Sequence, residues 1–103
     1  MCTASAIVQP HTNLTEISLG LDLLWRNNIQ PSKVVLGMAF YGRSFTLPSP
    51  ACSAVDCPFS GGGNEGTCTG TVGILSDSEI RDIISTTGVI PTLDKTVGVK
   101  WIT

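Results

Sequence analysis

The run Lys33–Leu47, KVVLGMAFYGRSFTL, decides how the rest of this 103-residue chain is read. From Lys33 to Tyr41 nearly every position is apolar, the pattern of a parallel strand covered on both faces rather than one half open to water. The spacing predicts a strand over 33–43. Alternation gives it two sides, with Val34, Leu36, Met38 and Phe40 on one and Val35, Gly37, Ala39, Tyr41 and Arg43 on the other. The second side is nearly bare at Gly37 and Ala39. It then carries two large hydrogen-bonding side chains at the C-terminal end, where ligands sit in barrels and open parallel sheets. Tyrosine offers an apolar face with a polar tip and arginine a rigid fork of donors, a pairing suited to sugar hydroxyls and carbonyls. An arginine ending a strand in solvent, with a tyrosine over the edge of the core, fits the same periodicity.

Upstream, residues 12–28, TNLTEISLGLDLLWRNN, read as an amphipathic helix. Leu14, Ile17, Leu21 and Leu24 recur at helical spacing, and Leu19, Leu23 and Trp25 widen the apolar side. Asn13 is the expected N-cap with Glu16 at the capping-box position, and Asn27-Asn28 ends the segment before Pro31. Helix, Pro-containing turn and buried strand make one α-then-β unit. A single parallel strand forms no sheet, so its neighbours must come from elsewhere.

Downstream the composition changes. Pro48–Gly73, rich in Gly, Pro, Ser and Cys, reads as loops held by disulfides. Ser76 then caps a short helix with Glu79 completing a capping box and Gly88 stopping it. The final TVGVKWIT is strand-like. No internal repeat occurs.

One small domain is what this length allows. A net charge of −2 and a pI near 5 give no electrostatic footprint for nucleic acid or an acidic membrane surface. No stretch has the length of a transmembrane span. The cysteines stand at positions 2, 52, 57 and 68. Their spacing lacks a Cys-x2-Cys knuckle and the one histidine, His11, is remote, so disulfides among Cys52, Cys57 and Cys68 are expected rather than a metal site, with the pairing open. The sequon Asn13-Leu14-Thr15 is a glycosylation candidate and agrees with an oxidising, extracellular compartment. The N-terminal residues lack the basic and apolar regions of a signal peptide, so the chain reads as part of a longer one.

Several chemistries are set aside. Gly66 is followed by Thr67 and Cys68 rather than Lys and Ser or Thr, so SGGGNEGTC is a glycine-rich turn and not a phosphate loop. His11 has no triad partners and no Gly-x-Ser-x-Gly elbow exists, so it reads as a loop or structural histidine. Of Glu16, Glu65 and Glu79, two sit at helix N-termini where capping explains them. Paired-carboxylate hydrolysis needs partners about 5 to 10 Å apart, and no such pair is legible. No catalytic residue and no cofactor is assigned.

The stretches GMAFYGRSF, residues 37–45, and CPFSGGGNEGTCTGTVGILSDSEI, residues 57–80, within a longer match over residues 11 to about 102, closely resemble the fungal chitinases of glycoside hydrolase family 18. The resemblance implies an α/β fold, a partial (β/α)8 barrel with an α+β chitinase insertion domain. On it, residues 1–46 are a barrel segment ending in strand seven, and 47–103 are the insertion domain, truncated at its C-terminal end. It implies hydrolysis of β-1,4-linked N-acetylglucosamine in the parent enzyme by substrate-assisted retention. There a glutamic acid ending an Asp-x-x-Asp-x-Asp-x-Glu motif protonates the leaving oxygen while the substrate's acetamido carbonyl attacks. That motif, the Met-x-Tyr-Asp element and the strand-eight tryptophan do not occur in these residues, and Trp25 and Trp101 do not stand in for the last. What carries over is Tyr41 and Arg43, matching the family's sugar-touching Tyr-Gly-Arg. An acidic cleft residue of some relatives falls at Thr71 here. The expected partners are chitin or chitooligosaccharides and the missing barrel segments, the expected location is extracellular, and the chain alone is expected not to hydrolyse chitin. The alternatives are a non-catalytic chitin-binding or decoy module and a non-functional product that aggregates through its uncovered faces.

Overall fold

The computed structural model describes residues 6–103, so Cys2 lies outside the described residues. Two helices and three two-stranded antiparallel sheets make a small α+β arrangement. Helix α1 spans Leu14–Arg26. Asn13 caps it, its Oδ1 accepting from the Thr15 amide at 2.8 Å. The capping box expected with Glu16 is not closed, because the cap oxygen bonds Thr15 rather than Glu16. Asn27 ends the helix by donating back to Leu24, and Asn28 turns the chain away at φ +60°. Ile17, Leu21 and Leu24 are half-buried, while Leu19 is 62% exposed and no residue of α1 is buried.

A short 3-10 turn, Pro31–Lys33, follows. The strand expected over 33–43 is corrected here. Only Tyr41–Arg43, β1, sits in a ladder, and residues 34–40 pair with no strand among the described residues. Val35 at 94% and Phe40 at 77% exposure show that neither side of this stretch is covered. The physical reason is that a strand is completed by its neighbours' N–H and C=O groups, and over residues 34–40 the described elements supply only the Asp77 amide, which donates to the Phe40 carbonyl at 2.9 Å.

At Tyr41 a partner arrives. β1 pairs antiparallel, not parallel, with β4, Ile74–Ser76. Its register sets Tyr41 against Ser76, Gly42 against Leu75 and Arg43 against Ile74. β4 runs directly into α2, Asp77–Thr87, capped by Ser76 with a complete capping box and stopped at Gly88 in the left-handed region at φ +71°. Helix α2 packs on β1 over Gly42, where a β-carbon would stand 2.7 Å from Ile80 Cδ1. Glycine at that place is what brings the helix close.

The loop segment is ordered by small contacts. β2, Phe45–Thr46, pairs with β3, Gly61–Gly62. Phe45 and Phe59 meet at 5.0 Å between ring centroids, and the N-terminal end joins through an Ile7–Pro58 bridge. The closing hairpin pairs β5, Thr92–Asp94, with β6, Val99–Trp101. Its tip reaches α1, since Leu14 donates its amide to the Val97 carbonyl at 3.0 Å.

The core is thin. Cys57 is the one buried apolar residue among those described. The accessible surface of 7920 Å² compares with roughly 5,500 Å² for a compact monomer of this mass. No helix among the described residues is long and apolar enough to cross a membrane.

Candidate functional site

The register of β1 on β4 builds a cleft. Because side chains alternate along a strand, Tyr41, Arg43, Ile74 and Ser76 share one face of the two-stranded sheet, and Gly42 and Leu75 share the face toward α2. Tyr41, Arg43, Ile74 and Ser76, with Thr69 from the preceding turn, line an open cleft of about 260 Å³. The Arg43 guanidinium carbon lies 5.8 Å from the centre of the Tyr41 ring, within cation–π range. Sequence alternation placed these two residues together, and the structure puts them side by side at the mouth of one cleft.

A carboxylate organises the far wall. Glu79 is buried, and its two oxygens accept from the amides of Cys68, Thr69 and Ser76 and from the hydroxyls of Thr69 and Ser76. The Thr69 hydroxyl and amide, followed by the Ser76 and Cys68 amides, hold the carboxyl well below the usual carboxylate range. A group so fully supplied with donors has no proton to give and no free lone pair aimed at a ligand. Glu79 is therefore a clamp joining the 66–70 turn to the start of α2. The Thr69 and Ser76 hydroxyls donate to it; the Ser76 oxygen also accepts from the Glu79 amide, while the Thr69 oxygen keeps its lone pairs as an acceptor at the cleft. Arg43 supplies only donors. The mixture matches a neutral, hydroxyl- or amide-bearing ligand better than an anion.

His11 stands where spacing gave no sign of it. Its Nε2 lies 2.9 Å from the Tyr41 hydroxyl, with ring centroids 5.3 Å apart and a tilt of 56°. The residues are separated by 30 positions, so only the fold reveals the pair.

Among the other candidates, Cys52 and Cys57 form a disulfide with Cα atoms 5.6 Å apart. Cys68 is exposed and bridges to neither of them. Asn13 is half-buried, its Oδ1 engaged in the helix cap. The glycine run serves backbone packing, since a β-carbon on Gly63 would sit 2.6 Å from Ser44 Oγ and one on Gly62 3.0 Å from the Gly73 backbone. Asp77, the acidic residue nearest the cleft in sequence after β4, pairs with Arg81 at 2.7 Å. No cluster of three or more potential metal ligands occurs among the described residues. A larger hollow of about 520 Å³ on α1, between Leu19, Asp22, Trp25 and Arg26, gathers none of the motif residues.

No protein-family model matches the chain. It is 31% identical over 88 residues to "Secreted chitinase LysM12" of Penicillium expansum, a match that covers 81% of this chain and 6% of that protein. Among solved structures it resembles a group IV chitinase of Ostrinia furnacalis in complex with allosamidin, at 26% identity and a TM-score of 0.72 over 81% of this chain and 22% of that one. It also resembles YKL-39, solved in the presence of chitooligosaccharides, at 30% identity and a TM-score of 0.74 over 84% of this chain and 23% of that one. The chain thus spans well under a tenth of the curated relative's length and under a quarter of these two structures.

Proposed function

We propose, for a chain that belongs to the chitinases of glycoside hydrolase family 18, that it forms part of a catalytic domain acting on β-1,4-linked N-acetylglucosamine and supplies one wall of the sugar-binding cleft. The observation that carries this reading is the pairing of Tyr41 with Arg43 at 5.8 Å in a cleft that Thr69 and Ser76 also line. Tyr41 gives the sugar ring an apolar surface and a hydroxyl, and Arg43 donates to ring hydroxyls or an acetamido carbonyl. The 31% identity to a protein named as a secreted chitinase supports an extracellular location.

On this reading residues 1–46 are a barrel segment and 47–103 belong to the insertion domain. The bare, uncovered stretch 34–40 is then the barrel strand whose neighbours lie in other parts of the domain. Substrate-assisted hydrolysis requires a glutamic acid to protonate the leaving oxygen. The only buried glutamate here, Glu79, is held ionised by its donors, and the Asp-x-x-Asp-x-Asp-x-Glu motif does not occur in these residues. The chain by itself therefore binds without cleaving. Incubation with a chromogenic chitooligosaccharide tests the second half, and turnover above buffer overturns it. Retention on chitin beads tests the first: it is expected for the wild type and lost in Arg43→Ala, and failure of the wild type to bind overturns the cleft assignment.

A further inference from the structure

We infer that His11 is a positioning residue of the cleft, which fixes the Tyr41 ring and hydroxyl in the orientation that meets a chitooligosaccharide; the inference rests on the sugar-binding reading just given. A phenol hydroxyl rotates about its C–O bond and presents either its proton or its lone pairs. Whichever of the two groups donates, the 2.9 Å contact from His11 Nε2 fixes that rotor. The tilted ring contact at 5.3 Å restrains the tyrosine side chain on one flank, and the Arg43 guanidinium lies over its ring.

His11 is itself held. It precedes the Asn13 cap of α1 by two positions, and the first residue of that helix is tied to the closing hairpin through Leu14 and Val97. The imidazole is thus delivered to Tyr41 from a fixed helix start. Thr69 and Ser76 are already oriented by Glu79. Tyr41 has no bond to that clamp, and its hydroxyl is held by His11 instead. Pre-orienting it removes ordering that the ligand would otherwise have to impose.

The test exploits composition, because His11 is the sole histidine and Tyr41 the sole tyrosine of the chain. Binding of an N-acetylglucosamine tetramer to the 103-residue chain and its variants is measured by calorimetric titration, and Tyr41 ring resonances are recorded where Tyr41 is present. Loss of one oriented hydrogen bond is expected to weaken tetramer binding roughly 3- to 10-fold in His11→Ala. His11→Gln, which keeps a hydrogen-bonding group, is expected to recover most of that loss. In a Tyr41→Phe background, His11→Ala is expected to have no further effect, and the ligand-free Tyr41 resonances are expected to shift in His11→Ala alone. Should His11→Ala fail to fold, His11→Phe keeps the ring contact, removes the hydrogen bond and carries the same comparison. Wild-type binding that is unchanged by these variants, or reduced equally with and without the Tyr41 hydroxyl, overturns the role of His11 alone. A wild-type chain that does not bind the tetramer overturns the sugar-binding reading and this one with it.

Discussion

Gly66 lies against Glu79 so closely that a β-carbon built on it would overlap the carboxylate oxygen Oε1. The turn from Gly66 to Gly70 folds over that carboxylate, closed by the Gly70 amide on the Gly66 carbonyl at 2.9 Å. A side chain at 66 would push the donors of Cys68 and Thr69 away. Gly66→Ala is therefore expected to destabilise the chain by about 2 kcal/mol or more, whereas Gly61→Ala, which meets nothing within 4 Å, is expected to change stability by less than about 0.5 kcal/mol. Thermal melting of the two variants compares them directly.

The clamp also has a pH signature. Glu79 is held ionised in the folded chain, so its folded pKa is depressed relative to the unfolded one. The unfolded state then takes up the proton first as pH falls, and the stabilisation is complete only above the unfolded value, about 4.3 for a glutamate. Stability is expected to decline as pH drops below that value, with the decline continuing toward the depressed folded pKa. In Glu79→Gln the charge is lost and an NH2 donor replaces one of the two acceptor oxygens, so part of these donors is left unpaired. That variant is expected to be less stable at neutral pH and to show a shallower acid slope in denaturant titrations.

The disulfide closes a short loop, Cys52 to Cys57, five positions apart. Its removal by Cys52→Ser is expected to cost roughly 2 kcal/mol on loop-closure grounds. The loss should fall first on residues 6–8, which hydrogen-bond to Asp56, Cys57 and Phe59. Non-reducing peptide mapping is expected to return the 52–57 bridge, and a bridge from either residue to Cys68 contradicts the structure. Hydrogen exchange of the Val8 amide reports the local loosening.

Much of the fold was legible because its signals are local. Ser76, Glu79 and Gly88 mark the start and stop of α2 in the sequence, and each performs that role in the structure. Asn13 and Asn27 likewise bound α1. The extent of the strand at 33–43 was not, since apolar periodicity records a tendency to be covered and not the presence of the covering strands; Val35 and Phe40 are uncovered. The β5–β6 hairpin was half seen. Its first strand, Thr92–Asp94, is too short to show alternation, and its turn depends on Asp94 accepting from the Thr96 amide at 2.9 Å.

In the cleft, alternation alone put Tyr41 and Arg43 on one face. Thr69 and Ser76 join them only through the register of β4, and His11 through the docking of the α1 start, relations between positions far apart that no spacing rule encodes. The capping role of Glu79 was readable from Ser76-x-x-Glu79, but its second set of donors from the 68–69 backbone was not.

The sugar-binding role of the Tyr41–Arg43 pair is tested most directly by calorimetric titration of the chain with an N-acetylglucosamine tetramer, wild type against Arg43→Ala. The expected result is saturable binding by the wild type that weakens at least roughly tenfold in the variant, as for loss of charge-assisted hydrogen bonds. Equal affinity in the two proteins, or no binding by a folded wild-type chain, would contradict it.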